Sequence, residues 1–277
     1  MSIKNHVWIS PRLLLVVGVA MFLGQGAAAQ SVVRISGTGS GTGGMQLLAQ
    51  AFTRANPSVK AEVRPALGST GGIAALTAGQ IDVAVSNRAP KESELAVHPL
   101  LSTEYARTPF VVAVHKDLGI TGVSSAQLAT LYAEGAATFS NGKRSRPVMR
   151  MADAIDTQLL KSFSPEVASA IEAATKRQGM LDADTDSEAA DLIERTAGAF
   201  GASTLALIKS EKRPLVALTI DAKQPTIDNL INGSYPYYKQ LYLIISSRAG
   251  PHTKAFAEFV KSEQGRALLQ AHGHLPR

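Results

Sequence analysis

Short apolar runs with strand spacing take turns along this chain with stretches whose apolar residues repeat at helical spacing. Val32, Val33 and Ile35 mark a strand over Ser31–Ser36. Met45, Leu48, Ala49 and Phe52 then fall on one face of a helix. Asn56-Pro57 ends it, because proline disfavours helical backbone at the residue before it. Val59–Pro65 predicts a second strand, Gly72–Ala78 a second helix, and Ile81–Ser86 a third, more fully apolar strand. Strands alternating with helices predict parallel βαβ units and a covered sheet.

Further on, Phe110–Val114 reads as a strand, and Ser124 or Ser125 caps a helix through Tyr132. Ser140–Arg146 is polar and basic, a surface loop; Ser162–Gln178 is helix-prone. Ala197–Ala206 carries a short strand or turn with Gly198 and Gly201, and Leu241–Ser246 is a strongly apolar strand. Two helical pieces follow, one with Phe256, Phe259 and Val260 on one face, the other with Ala267, Leu268 and Leu269. Ser262 sits where it can cap the second.

The first 29 residues have a different pattern. Lys4 and Arg12 precede or open an apolar run, Leu13–Leu23, and Ala27-Ala28-Ala29 supplies small residues before Gln30. That is the layout of a secretory signal cleaved after Ala29, with an apolar run too short to span a bilayer comfortably. No cysteine occurs anywhere, which excludes disulfides, thiol chemistry and a lipid anchor on cysteine. The expectation is an exported, soluble mature chain with no membrane insertion after signal removal. Its net charge falls from +6 to +4 once Lys4 and Arg12 leave. That mild excess suits an anionic ligand and is too dispersed for nucleic acid.

Candidate chemistry concentrates in two turns, Gly37-Thr-Gly-Ser-Gly-Thr-Gly-Gly44 and Gly68-Ser-Thr-Gly-Gly72. Each follows a strand and opens a helix. A helix start carries unpaired N–H groups and a partial positive charge. Glycine admits a ligand to that backbone, and hydroxyls add donors. In parallel sheets such turns lie at the carboxyl ends of the strands, where ligands bind. Ser86-Asn87-Arg88 ends the third strand beside them.

Competing readings are poorer in residues. Gly39–Gly44 satisfies G-x-G-x-x-G, but Glu62 falls inside the second strand pattern, and an exported protein rarely meets free dinucleotide. His272-Gly-His274 lacks a carboxylate or cysteine cluster, so no metal is expected. No G-x-S-x-G elbow is present. Tyr235, Tyr237 and Tyr238 around Pro236 suggest a carbohydrate platform or, more simply, packing near a hinge, and packing is the favoured reading.

Gly68-Ser-Thr-Gly-Gly-Ile, Gly79-Gln-Ile-Asp-Val-Ala-Val-Ser-Asn-Arg-Ala-Pro90, Ile231-Asn-Gly-Ser-Tyr-Pro236 and Phe256–Gly265 with Gly273–Pro276 occur in that order. In this the chain resembles the periplasmic phosphate-binding proteins of ABC transporters. The resemblance implies an α/β, two-lobed periplasmic-binding-protein fold, each lobe a mostly parallel sheet flanked by helices. Two crossing strands, near Val111–His115 and Leu241–Ser246, would join them. Lobe one would hold residues 30–112 and 242–277, lobe two 113–241. The implied function is capture of a small oxyanion, phosphate or a relative, between the lobes and delivery to an ABC-type permease. It implies no catalysis, no cofactor, a periplasmic location and a monomer.

Carried over position by position, the resemblance assigns anion contacts to Ser40, Gly41 and Thr42, and to Ser69 with Thr70. The family has an acidic residue where this chain has Asn87. That loss of charge relaxes discrimination against fully ionised oxyanions. From the other lobe the family supplies an arginine and then Ser-Gly-Thr. Here Met151 takes the arginine's place and Ile155-Asp156 that of Ser-Gly, leaving Thr157 in register. Arg150 is one place off, with Asp153 as an available partner; Arg88 or Arg150 would complete the cage. Asp153 and Asp156 would repel an anion unless turned away or paired. A second expectation follows from these departures: the same fold with a degenerate site, serving as a scaffold or sensor partner.

Overall fold

The computed structural model describes residues 1–2 and 30–277, so the proposed signal lies almost wholly outside the described residues. The chain opens with β1 (Ser31–Gly37), α1 (Gly39–Ala55), β2 (Val59–Val63), α2 (Gly68–Thr77) and β3 (Val83–Ser86). A short α3 (Glu92–Val97) leads into β4 (Leu100–His115), which runs for 16 residues. Then come β5 (Gly122–Val123), α4 (Ser125–Ala133), β6 (Arg146–Met149), α5 (Ile155–Lys161) and α6 (Pro165–Ala174). They are followed by β7 (Leu181–Asp182), α7 (Asp186–Arg195), β8 (Ala199–Thr204) and α8 (Leu205–Ser210). β9 (Leu215–Ala217), β10 (Thr219–Ile220) and α9 (Ile227–Ile231) precede β11 (Tyr238–Ser246). The chain closes with α10 (Pro251–Lys261), α11 (Glu263–Ala271) and β12 (Leu275–Pro276).

One ten-stranded sheet runs through the molecule in the order β2-β1-β3-β11-β4-β8-β6-β7, with β9 and β12 also paired to β4. The outer pairs β1–β2, β1–β3, β6–β8 and β6–β7 are parallel, as the βαβ pattern requires. The central strands are antiparallel. β11 pairs with β3, opposing Tyr242 to Ser86, and with β4, opposing Tyr238 to Pro109. β4 changes partner at that point, and from Phe110 to Val114 it pairs with β8.

The apolar spacing accounts for the two largest bodies of core. Val33, Ile35, Met45, Leu48, Val83, Leu241 and Phe256 pack in one, where Phe52 meets Phe256 edge to face at 5.3 Å between ring centroids. Phe110, Val112, Leu128, Tyr132, Val167, Phe200 and Ile220 pack in the other. β4 supplies Tyr105 and Ala106 to the first and Phe110, Val112 and Val114 to the second, while Val111 and Ala113 on its other face pack with Val148, Ile193 and Leu207.

Both glycine turns turn out to be the first turns of their helices, since α1 starts at Gly39 and α2 at Gly68. Packing overrides the poor helix propensity of glycine here. Gly37 just before α1 has φ +142°, and a Cβ on it would lie 1.9 Å from the Val85 carbonyl oxygen, so only glycine fits. Ser124 does cap α4, accepting from the Gln127 N–H at 3.1 Å, and Ser262 caps α11. α6 covers Pro165–Ala174, less than the helix-prone stretch, because Ser164 caps it there. β4 is longer than its apolar pattern, its first half having exposed polar residues.

Candidate functional site

The carboxyl ends of β1 and β3 bring the two glycine-rich helix starts side by side. Thr38, the residue before α1, turns its hydroxyl away from the helix: Oγ1 lies 2.5 Å from Asn87 Oδ1 and 3.0 Å from both Ser40 Oγ and Asp186 Oδ2. Ser40 donates to Asn87 Oδ1 at 3.0 Å. The Asn87 amide is pinned, because Nδ2 donates to the Gln240 carbonyl at 3.0 Å and the backbone N–H donates to Ser69 Oγ at 2.9 Å. Asn87 therefore presents an acceptor, not a donor, to the cluster. Thr38, Ser40 and Asn87 are all buried.

From the other side come Arg150 at the end of β6, Asp156 in the first turn of α5 and Asp186 in the first turn of α7. Lys239 of β11 lies between the two acids and is fully buried. Its ammonium stands 2.7 Å from Asp156 Oδ1 and forms an ion pair with Asp186 Oδ1. Arg150 lies 3.8 Å from Asp156 Oδ2; its side chain is 7% exposed, and Nε and Nη1 have no protein hydrogen-bond partner among the described residues. Two cations thus face two anions. Burial alone would raise the Asp186 carboxyl, but the charges of Lys239 and Arg150, with hydrogen bonds from Lys239 and Thr38, hold it down at about 2. Burial and the neighbouring Asp156 charge push the Tyr132 hydroxyl up.

The other sequence candidates lie as follows. Gly41 contributes its N–H to the Thr38 carbonyl at 3.1 Å, and the Thr42 hydroxyl donates to the same oxygen at 3.3 Å. Thr70 accepts from Arg88 at 3.1 Å. Arg88 is committed to Glu94 through two bonds of 2.7 and 2.8 Å, which also hold the Glu94 carboxyl below its usual range. Thr157 donates to the Met151 carbonyl at 2.8 Å and so closes the turn between β6 and α5. Arg150 pairs with Asp156, not with Asp153, because α5 turns Asp156 inward and leaves Asp153 exposed. Met151 is exposed.

Thr38, Asp186 and Lys239 were not among the sequence candidates. Lys239 had a readable signal: it falls in phase with Leu241 and Leu243, the buried positions of β11. A lysine in that phase must find a partner inside. Near Asn87 and Lys239 a groove of about 500 Å³ opens outward, walled by Ile155, Leu159 and Tyr238. Away from the cluster, Tyr235 is buried and donates to the Phe110 carbonyl at 2.5 Å, a packing role beside β4. His274 is also buried, which lowers its pKa to about 4. No helix among the described residues is long and apolar enough to cross a membrane.

With this geometry in hand, the relatives are informative. A profile of the PBP superfamily domain matches residues 24–264, and the chain belongs to that superfamily. No curated protein matches it in sequence. Solved structures share the fold. A putative phosphate ABC transporter substrate-binding protein with bound phosphate, from Clostridium perfringens, is 21% identical with a TM-score of 0.70. That match covers 89% of this chain and 100% of that one. An ABC-type phosphate transport receptor from Vibrio cholerae is 22% identical, TM-score 0.54, over 88% and 99% of the two chains. The substrate-binding domain of a putative molybdenum ABC transporter from Clostridium difficile is 12% identical, TM-score 0.54, over 88% and 98%. At these identities the likeness is one of fold: α/β, with a central sheet flanked by helices, the periplasmic-binding-protein architecture.

Proposed function

We propose that this chain is an exported, periplasmic solute-binding protein that captures a small oxyanion and hands it to an ABC-type permease. It performs no bond chemistry; selectivity comes from stripping water off the anion among fixed donors. Residues 30–112 and 242–277 form one lobe of this reading and 113–241 the other, with β4 and β11 crossing between them; the cores move the joins by a few residues, since Phe110 and Val112 pack with the second body and Leu241 with the first. The observation that carries it is Arg150, a buried guanidinium whose Nε and Nη1 have no hydrogen-bond partner among the described residues. It belongs to the same cluster as Lys239 and the hydroxyls of Thr38 and Ser40. The Ser69 hydroxyl accepts from Asn87 and keeps its own proton for a ligand. Arg88, paired with Glu94, steadies the α2 start through Thr70 and leaves the charge to Arg150 and Lys239. The phosphate and molybdenum transport proteins that share the fold support an oxyanion and leave its identity open.

Titration calorimetry with phosphate, sulfate and molybdate tests this. One of them is expected to bind, and Ser69→Ala should weaken it at least about tenfold, the worth of one well-made hydrogen bond to a charged group. No heat with any of the three would remove the transport reading. A second reading, the same fold with a closed site serving as a scaffold, draws on Asp156 and Asp186, which already neutralise both cations. It expects silence from every anion.

A further inference from the structure

Building on the anion-binding reading above, we infer that Asp186 is a tethered competitor for the ligand, a carboxylate that takes the seat of the anion and sets the affinity of the site. Its two oxygens are used as an oxyanion would use them. Oδ1 pairs with the Lys239 ammonium and Oδ2 accepts from the Thr38 hydroxyl at 3.0 Å. The donors come from β11 and from the start of α1, while the carboxylate arrives on α7.

The seat is tight. A Cβ on Gly39 would lie 2.7 Å from the Ser187 backbone nitrogen, so the starts of α1 and α7 abut where the carboxylate sits. Asp186 is buried there between two helix N-termini, the setting that favours negative charge.

Nor does the fold need this carboxylate for its ordinary duties. Thr185 caps α7, accepting from the Glu188 N–H at 3.1 Å. Asp156 keeps Lys239 paired at 2.7 Å. Asp186 is the second acid on a lysine that already has one, and it brings the cluster of Lys239, Arg150, Asp156 and Asp186 to zero net charge. Remove it, and the cluster carries one positive charge; the Thr38 hydroxyl, which also lies 2.5 Å from Asn87 Oδ1, loses one of its two competing acceptors, and part of the Lys239 hydrogen-bonding capacity is released to a ligand. An incoming anion must exchange with Asp186 or share its donors, and either lowers its affinity.

The test is calorimetry of phosphate, sulfate and molybdate on the wild-type chain, Asp186→Asn, Asp186→Ser and Asp184→Asn, each checked for folding by its thermal melt. Asp184 is exposed and two residues away, a control for loss of charge alone. The neutral 186 variants should bind the preferred anion at least tenfold more tightly than the wild type, with Asp184→Asn within twofold of wild type. If the wild type binds and the 186 variants bind equally or more weakly, the competitor role is overturned while the anion-binding reading stands. Equal tightening by Asp184→Asn also overturns it, as an effect of overall charge. Silence from the wild type ends the anion-binding reading and this inference with it. Asp186→Ser, smaller and neutral, carries the test if the asparagine variant does not fold.

Discussion

Lys239 joins the two halves of the candidate site with one side chain. It is wholly buried, yet it meets two carboxylates, and its stem approaches the Phe110 ring with the ammonium 5.9 Å from the centroid. A buried charge is tolerable only when paired, and here the pairing is reciprocal, since Asp156 and Asp186 depend on the same ammonium. Lys239→Met should keep the stem's packing while stranding two buried acids. The expected loss is about 3–5 kcal/mol, the usual cost of breaking a buried pair from one side. Denaturant unfolding measures it, and a loss under about 1 kcal/mol would mean that the acids find other partners.

At the scale of elements, the starts of α1 and α7 matter more than their lengths. Their closeness depends on Gly39, whose missing side chain makes room for the Ser187 backbone. Gly39→Ala is expected to cost about 1–3 kcal/mol through overpacking, seen as a lower melting temperature. An unchanged melt would show that the contact yields freely. The elements also show what a sequence can and cannot disclose. The helix at Met45–Phe52 was legible because its apolar residues repeat with one clean period, and the strands at Ser31–Ser36 and Ile81–Ser86 because they are short, bounded apolar runs. The first half of β4 was not: Ser102, Thr103 and Glu104 leave it polar, and its place is decided by pairing with β11 over a hundred residues later. α7 was missed although Ala189, Ala190 and Ile193 share one buried face, because so many of its residues are charged. In the site, the hydroxyls of Ser40 and Ser69 were readable from local glycine-rich chemistry. The partnership of Lys239 with Asp186 and Asp156 has no local signature, because the three meet only after the sheet has formed.

For the whole molecule, the order of strands in the sheet differs sharply from their order in the chain. β3 has β11 beside it, and the core over β1 and β3 is filled by Leu241, Leu243, Phe256, Val260 and Leu269. β1–β3 are made first but finished last. Most of the entropy of closing that loop must be spent before its contacts return anything, which makes assembly of this half slow and long-range. A chain that emerges N-terminus first, from the ribosome or across a membrane, therefore carries its opening hundred residues as an unfinished layer until nearly the last helix has emerged. Truncation after Ser234 should leave the amides of β1 and β3 exchanging as freely as in an unfolded chain, by hydrogen-exchange mass spectrometry. Protection there in the truncated chain would show that the first core closes by itself. The crossing strands, described above as a join between two cores, are on this account also a timer: folding of the beginning waits for the arrival of the end.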